Sequence, residues 1–222
     1  KIYKYNLVLY IMIQHTFYIN LLDSHDRRIK FLGKGYHRWE AVSREEVPDE
    51  VDKKMISYYN YPRQSHLGRC GCFCSHMELY KYIVEMKLDN CLILEDDAVQ
   101  VKDIPKSYPT DGITYVGGFF ANAKLTDPTP VKINVKDGIN YLDPKYRILM
   151  TMSYIMPTWE LAKEILDLVE TKTRYRAIDI LLGNMGIHKY YEYPGCFVEE
   201  GSDSIIAKKE KKSNEFYRWV KI

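Results

Sequence analysis

In Asn90-Cys91-Leu92-Ile93-Leu94-Glu95-Asp96-Asp97, four apolar residues run straight into three acids. No other stretch limits the fold as much. A short continuous apolar run reads as a strand buried on both faces, as in a parallel sheet covered by helices. The acids then sit at its carboxyl end, where open α/β sheets place their ligands. Three adjacent carboxylates repel one another and resist desolvation, so packing alone does not select them. A hard divalent cation, Mg²⁺ or Mn²⁺, removes the conflict, because such ions take oxygen ligands and share them with substrate phosphates. A solvated acidic turn after a strand gives the same tripeptide, so the neighbourhood has to decide.

The chain has 222 residues, enough for one α/β domain with a sizeable core. Thr16–Leu21 reads as the first core strand, rich in aromatic and β-branched residues. Ser24 is placed as N-cap of a short helix through Leu32, stopped near Gly33 and Gly35. Its start lies on the same rim as the acids, where Arg27 and Arg28 are suited to a diphosphate. Arg38–Val42 reads as a second strand, and Pro48 opens a helix through Ile56. Tyr58–Pro62 reads as a loop. The stretch Leu67–Met86 puts Cys72, Phe73, Met77, Tyr80, Ile83 and Val84 on one helical face. His76 reads there as a core histidine.

After the acids, Pro105 and Pro109 mark a surface connection. Ile113–Gly118 is a strand ending in Gly117 and Gly118, which permit a close backbone approach. Residues 121–147 read as loop-rich, with an edge strand at 131–135. Ile148–Met156 reads as one buried strand, followed by a helix starting at Pro157 with Leu161, Ala162, Ile165, Leu166 and Val169 inward. Asp179 stands in an apolar run, which is costly unless it caps a helix or has a function. Tyr190–Pro194 and Cys196–Glu200 are the last extended pieces. The organisation expected is an extra segment at 1–15, a domain at 16–206 and a charged tail at 207–222.

The net charge is +2, which gives no reason to expect nucleic-acid binding. Cys70, Cys72 and Cys74 alternate in CGCFC, and Cys91 and Cys196 stand apart. Without a CxxC pair, zinc is not expected. An odd count without regular spacing points to reduced thiols and a cytoplasmic, reducing compartment, with peripheral membrane association left open. Leu7–Ile13 is apolar but far short of the roughly 20 residues of a spanning helix. It reads as an added strand, and no transmembrane segment is expected.

The order of the pieces resembles glycosyltransferase family 25, which holds lipopolysaccharide β-galactosyltransferases and collagen galactosyltransferases. Carrying the resemblance are Phe17–Leu21 with Asp26-Arg27-Arg28, then Gly68, Gly71, Cys72, Ser75 and His76, then Leu92–Asp97. Later pieces agree: Gly117-Gly118, Ser153-Tyr154-Ile155, Asp179 and Ser204-Ile205. The resemblance implies a GT-A-type, Rossmann-like single domain with a mostly parallel central sheet and helices on both faces. It also implies a nucleotide-sugar donor (UDP-sugar favoured), a glycan or glycoprotein acceptor, Mn²⁺ or Mg²⁺, and inversion at the anomeric carbon. Asn20, Arg27, Arg28, His76, Glu95, Asp96, Gly117 and Gly118 are then expected at the donor, Asp97 and Glu95 at the metal, and Asp179 as general base. His188 is a weaker candidate for a metal or phosphate contact. Were the strand to continue through the acids, Glu95 and Asp97 would point one way and Asp96 the other. Two departures stand out: the segment before Thr16 is extra, and Glu199 or Glu200 stands where the family often has Gln. Two other readings use the same features: a metal-dependent phosphohydrolase or nuclease, and an inactive glycosyltransferase-like binding module.

Overall fold

The computed structural model describes residues 10–56, 62–123, 131, 133 and 135–199, with only the backbone given for Tyr10, Ile11 and His188. In chain order the strands begin with β1 (Tyr10–Ile11), β2 (His15–Asn20), β3 (His37–Glu40), β4 (Cys91–Glu95), β5 (Ala98–Gln100), β6 (Tyr108–Pro109) and β7 (Ile113–Tyr115). They continue with β8 (Phe119–Asn122), β9 (Gly138–Tyr141), β10 (Tyr146–Leu149), β11 (Ser153–Met156), β12 (His188–Tyr193) and β13 (Phe197–Glu199). The helices are α1 (His25–Arg28), α2 (Asp49–Lys54), α3 (Arg63–Glu85), α4 (Trp159–Glu170) and α5 (Ile178–Asn184).

A seven-stranded sheet in the order β3-β2-β4-β11-β7-β12-β9 forms the middle of the fold. β3, β2, β4, β7 and β12 run one way, and β11 and β9 run against them. β4 is central because its apolar run has no polar side to offer: Cys91, Leu92, Ile93 and Leu94 are all fully buried. Burying each such side chain contributes about 1.5–3 kcal/mol. Alternation splits these residues between two cores. Phe17, Ile19, Cys91, Ile93, Tyr154 and Met156 meet the inward faces of α3, α4 and α5 through Phe73, Tyr80, Ile83, Ala162, Ile165 and Leu181. Tyr18, Leu92, Leu94 and Ile155 face the other way, onto Phe31, Tyr108, Val116 and Phe197. The α/β class is as read, with the two faces covered unequally: long helices on one, short strands and the turn carrying Phe31 on the other.

α3 is one helix of 23 residues, begun at Pro62. Gly71 lets it rest on the loop after β3: a Cβ there would lie 2.6 Å from the Val42 carbonyl oxygen. Ser75 Oγ accepts from Val42 N at 2.8 Å and donates to Gly71 O at 2.7 Å. α4 is capped by Thr158, whose Oγ1 accepts from Leu161 N at 3.2 Å. Ser24 occupies an N-cap position without a side-chain cap bond.

Four sequence expectations need correction. Ile148–Met156 is two strands, broken where Met150 takes a φ of 69°. β10 turns away to pair with β8, while β11 enters the main sheet. Val131, Ile133 and Val135 lie in no strand, and the sheet edge is β9 instead. Pro109 is buried in a two-stranded ladder with β1 rather than lying on the surface. β4 ends at Glu95, so Asp96 and Asp97 lie in a turn and not on a continuing strand. The added N-terminal strand is present over Tyr10–Ile11. Leu7–Leu9, Tyr58–Tyr61, Ser204-Ile205 and the tail 207–222 lie outside the described residues. No helix among the described residues is long and apolar enough to cross a membrane.

Candidate active site

The carboxyl ends of β2 and β4 lie side by side, with Ile19 paired to Glu95. Asn20, the last residue of β2, is buried. Its Nδ2 donates to Asp96 Oδ2 at 2.8 Å and to Ser24 O at 3.2 Å. Its Oδ1 accepts from Arg28 Nε at 2.7 Å and from Arg38 Nε at 3.3 Å. Arg27 donates to Asp96 Oδ1 at 2.7 Å. The paired arginines thus have different tasks. Arg27 balances the charge of Asp96, while Arg28 ties Asn20 to the carbonyls of Leu21 and Leu22. Both Asp96 oxygens are taken up.

Glu95 faces α3. Its Oε1 accepts from Thr151 Oγ1 at 2.6 Å and lies 3.4 Å from His76 Nε2 and 3.9 Å from Cys72 Sγ. His76 is wholly buried; its Nδ1 lies 2.7 Å from Tyr154 Oη, which lies 2.6 Å from Tyr80 Oη. Burial pushes the Glu95 carboxyl up, but the bonds from His76, Thr151 and Cys72 outweigh it and hold it below the ordinary value.

Asp97 lacks such company. Its Oδ1 is buried and has no hydrogen-bond partner among the described residues. Burial, then the charges of Glu95, Glu199 and Asp96, push it up to about 8. Glu199 is in the same position: its Oε2 is buried without a partner among the described residues, and burial with the Glu95 charge pushes it up to about 7. Carboxylate oxygens without a proton donor are a donor set that fits a hard cation.

Asp179 sits in the first turn of α5, past the N-cap position at Ala177. Its two oxygens accept from Met150 N at 3.2 Å and Ile180 N at 2.7 Å. Burial raises its pKa, and these two bonds oppose the rise without cancelling it. The break in the 148–156 run therefore serves the rim: it hands Met150 N to Asp179 and Thr151 to Glu95.

Gly117 and Gly118 approach the chain's own backbone. A Cβ on Gly117 would lie 2.3 Å from Ser153 Oγ and 2.9 Å from Phe197 O. On Gly118, at φ 109°, it would lie 2.6 Å from Leu149 O. These glycines pin β10 and β13 against β7. The alternating cysteines point to different places around α3. Cys70 lies with Asp52 and His66, Cys72 with His76 and Glu95, each group having ligand atoms within 4.8 Å of one another. In the first group Asp52 is already paired with Arg63. Sequence reasoning missed Thr151, Arg38 and Tyr154. A lone hydroxyl between Met150 and Met152 was the one signal for Thr151.

Fold and rim together define a Rossmann-like α/β protein with a carboxylate-rich site at the carboxyl ends of its strands, where such sheets bind ligands. Residues 13–108 match the model of glycosyltransferase family 25, described as an LPS biosynthesis protein. The match supports the family resemblance and, with it, a glycosyltransferase. The matched span carries Asn20, Arg27, Arg28, His76 and the three acids, while Asp179 and Glu199 lie beyond it. No curated protein matches the chain.

Proposed function

We propose that this protein transfers a hexose of galactose type from a UDP-sugar to a hydroxyl of a glycan or protein, with inversion and with Mn²⁺ or Mg²⁺. The observation that carries the reading is the buried oxygen of Asp97, which lacks a proton donor among the described residues while Glu95, Asp96 and Asp179 beside it are hydrogen-bonded. Asp97, with Glu95 beside it, would hold the ion. When bound, the ion offsets charge developing on the leaving diphosphate. Asn20 and Arg27 keep Asp96 fixed at the donor side.

In an inverting transfer the acceptor oxygen bonds to the anomeric carbon as the bond from that carbon to the diphosphate breaks. Asp179 takes the hydroxyl proton. Its raised pKa favours that role, since a base works best when its pKa approaches the working pH. The buried thiols fit a reducing compartment: burial pushes Cys70 and Cys74 up to about 11 and Cys91 up to about 12, which makes them poor nucleophiles.

Calorimetric titration with UDP- and GDP-sugars tests the reading. Heat of binding is expected with a UDP-sugar when Mn²⁺ or Mg²⁺ is present and not in excess chelator. Equal affinity in chelator would remove the metal from the mechanism, and a preference for GDP-sugars would change the donor.

A further inference from the structure

We propose that Glu199 is a ligand of the same cation as Asp97, so that carboxylates from the two halves of the chain hold the ion between them. The inference rests on the metal-assisted reading above and adds a residue that lies outside the span matched by the family model.

β13 pairs with β5 antiparallel, and the register sets Glu199 opposite Ala98, the residue after Asp97. The position of β13 is fixed by the sheet: Cys196 N and Phe197 N both donate to Val116 O, at 2.6 and 3.0 Å. Glu199 is therefore held against the acid turn. The other rim acids are satisfied: Asp96 by Arg27 and Asn20, Glu95 Oε1 by Thr151 with His76 beside it, and Asp179 by two backbone amides. Asp97 Oδ1 and Glu199 Oε2 differ from these. Both are buried, and neither has a hydrogen-bond partner among the described residues. Two neighbouring carboxylates in this condition are poorly compensated by protein alone. An oxygen-seeking divalent ion satisfies both at once.

The test is a titration of wild type, Asp97→Asn and Glu199→Gln with MnCl₂, alone and with saturating UDP, reading free Mn²⁺ by electron paramagnetic resonance. Glutamine keeps the shape and removes the charge. Affinity is expected to fall by roughly tenfold or more in each variant, since even residues that only orient metal ligands change affinity on that scale. Unchanged affinity in Glu199→Gln beside a loss in Asp97→Asn overturns the role of Glu199 and leaves the metal reading standing. Wild type that takes up no Mn²⁺ under either condition overturns both. Should Glu199→Gln not fold, Glu199→Asp carries the test, because it keeps the charge and retracts the oxygens by one methylene. Weaker Mn²⁺ binding then supports the assignment, and unchanged binding overturns it.

Discussion

Glu95 and Asp97 stand two residues apart and shift in opposite directions: hydrogen-bond donors outweigh burial at Glu95, whereas burial, and then the neighbouring carboxylates, push Asp97 up. Asp97→Asn keeps the shape and is expected to cost well over about tenfold in turnover, roughly 1.4 kcal/mol of barrier, measured as kcat. A stability consequence runs with pH. The Asp97 pKa lies near 3.8 ordinarily and at about 8 in the fold, so the folded state binds the extra proton between those values. In chelator this group's contribution is whole below about 3.8 and is lost as the pH rises through about 8. Melting curves across that window are expected to show Asp97→Asn gaining on wild type as the pH rises. Asp179→Asn is expected to lower turnover by a factor of roughly 10² to 10⁴ while donor binding persists. The structure sharpens that test. Both Asp179 oxygens accept from backbone amides, so an amide side chain leaves one N–H unsatisfied and costs about 1–3 kcal/mol of stability besides. Turnover near the wild-type rate would return Asp179 to a purely structural part.

Elements deliver these residues more tightly than the sequence discloses. α3 reaches the rim because Gly71 lets it lie on the Val42 carbonyl, and Cys72 and His76 then stand one turn apart, facing Glu95. Gly71→Ala puts a methyl 2.6 Å from backbone oxygen, which cannot swing aside. The expected loss is about 1–3 kcal/mol in denaturant melts, with turnover reduced because Glu95 loses its support from His76. The strand of Cys91–Leu94, the helix over 159–170 and the acids at a strand end were all legible, because uninterrupted apolar runs and helical spacing report burial directly. The break at Met150–Met152 was not. Its residues are as apolar as a strand requires, and the reason for the break lies in Asp179 and Glu95, distant in sequence. His76 illustrates the same limit. In the sequence it fits both a core position and a donor contact, and it is a buried link from Tyr154 to Glu95, a role fixed by partners that periodicity does not name.

At the scale of the whole molecule, the three alternating cysteines are separated by the turn of α3, and both metal-like groupings among the described residues have an engaged carboxylate: Asp52, with His66 and Cys70, is held by Arg63, and Glu95, with Cys72 and His76, accepts from Thr151. Elemental analysis of purified protein is expected to give well under one zinc per chain, and a stoichiometric zinc would overturn that reading. The α/β class followed from the β4 run and the βα order, whereas the unequal cover of the two faces did not, since it depends on how the short strands after residue 95 fold back. The ladder between β5 and β13 joins residues about a hundred positions apart, a contact of the kind that forms slowly. During synthesis at about 5–20 residues per second, β13 emerges some 5–20 s after β5. Until then the acid turn of a nascent chain faces water on the side where Glu199 will lie. The rim is therefore among the last parts of the fold to be completed, because the amino-terminal half of the chain lacks the strand that lies against its acid turn.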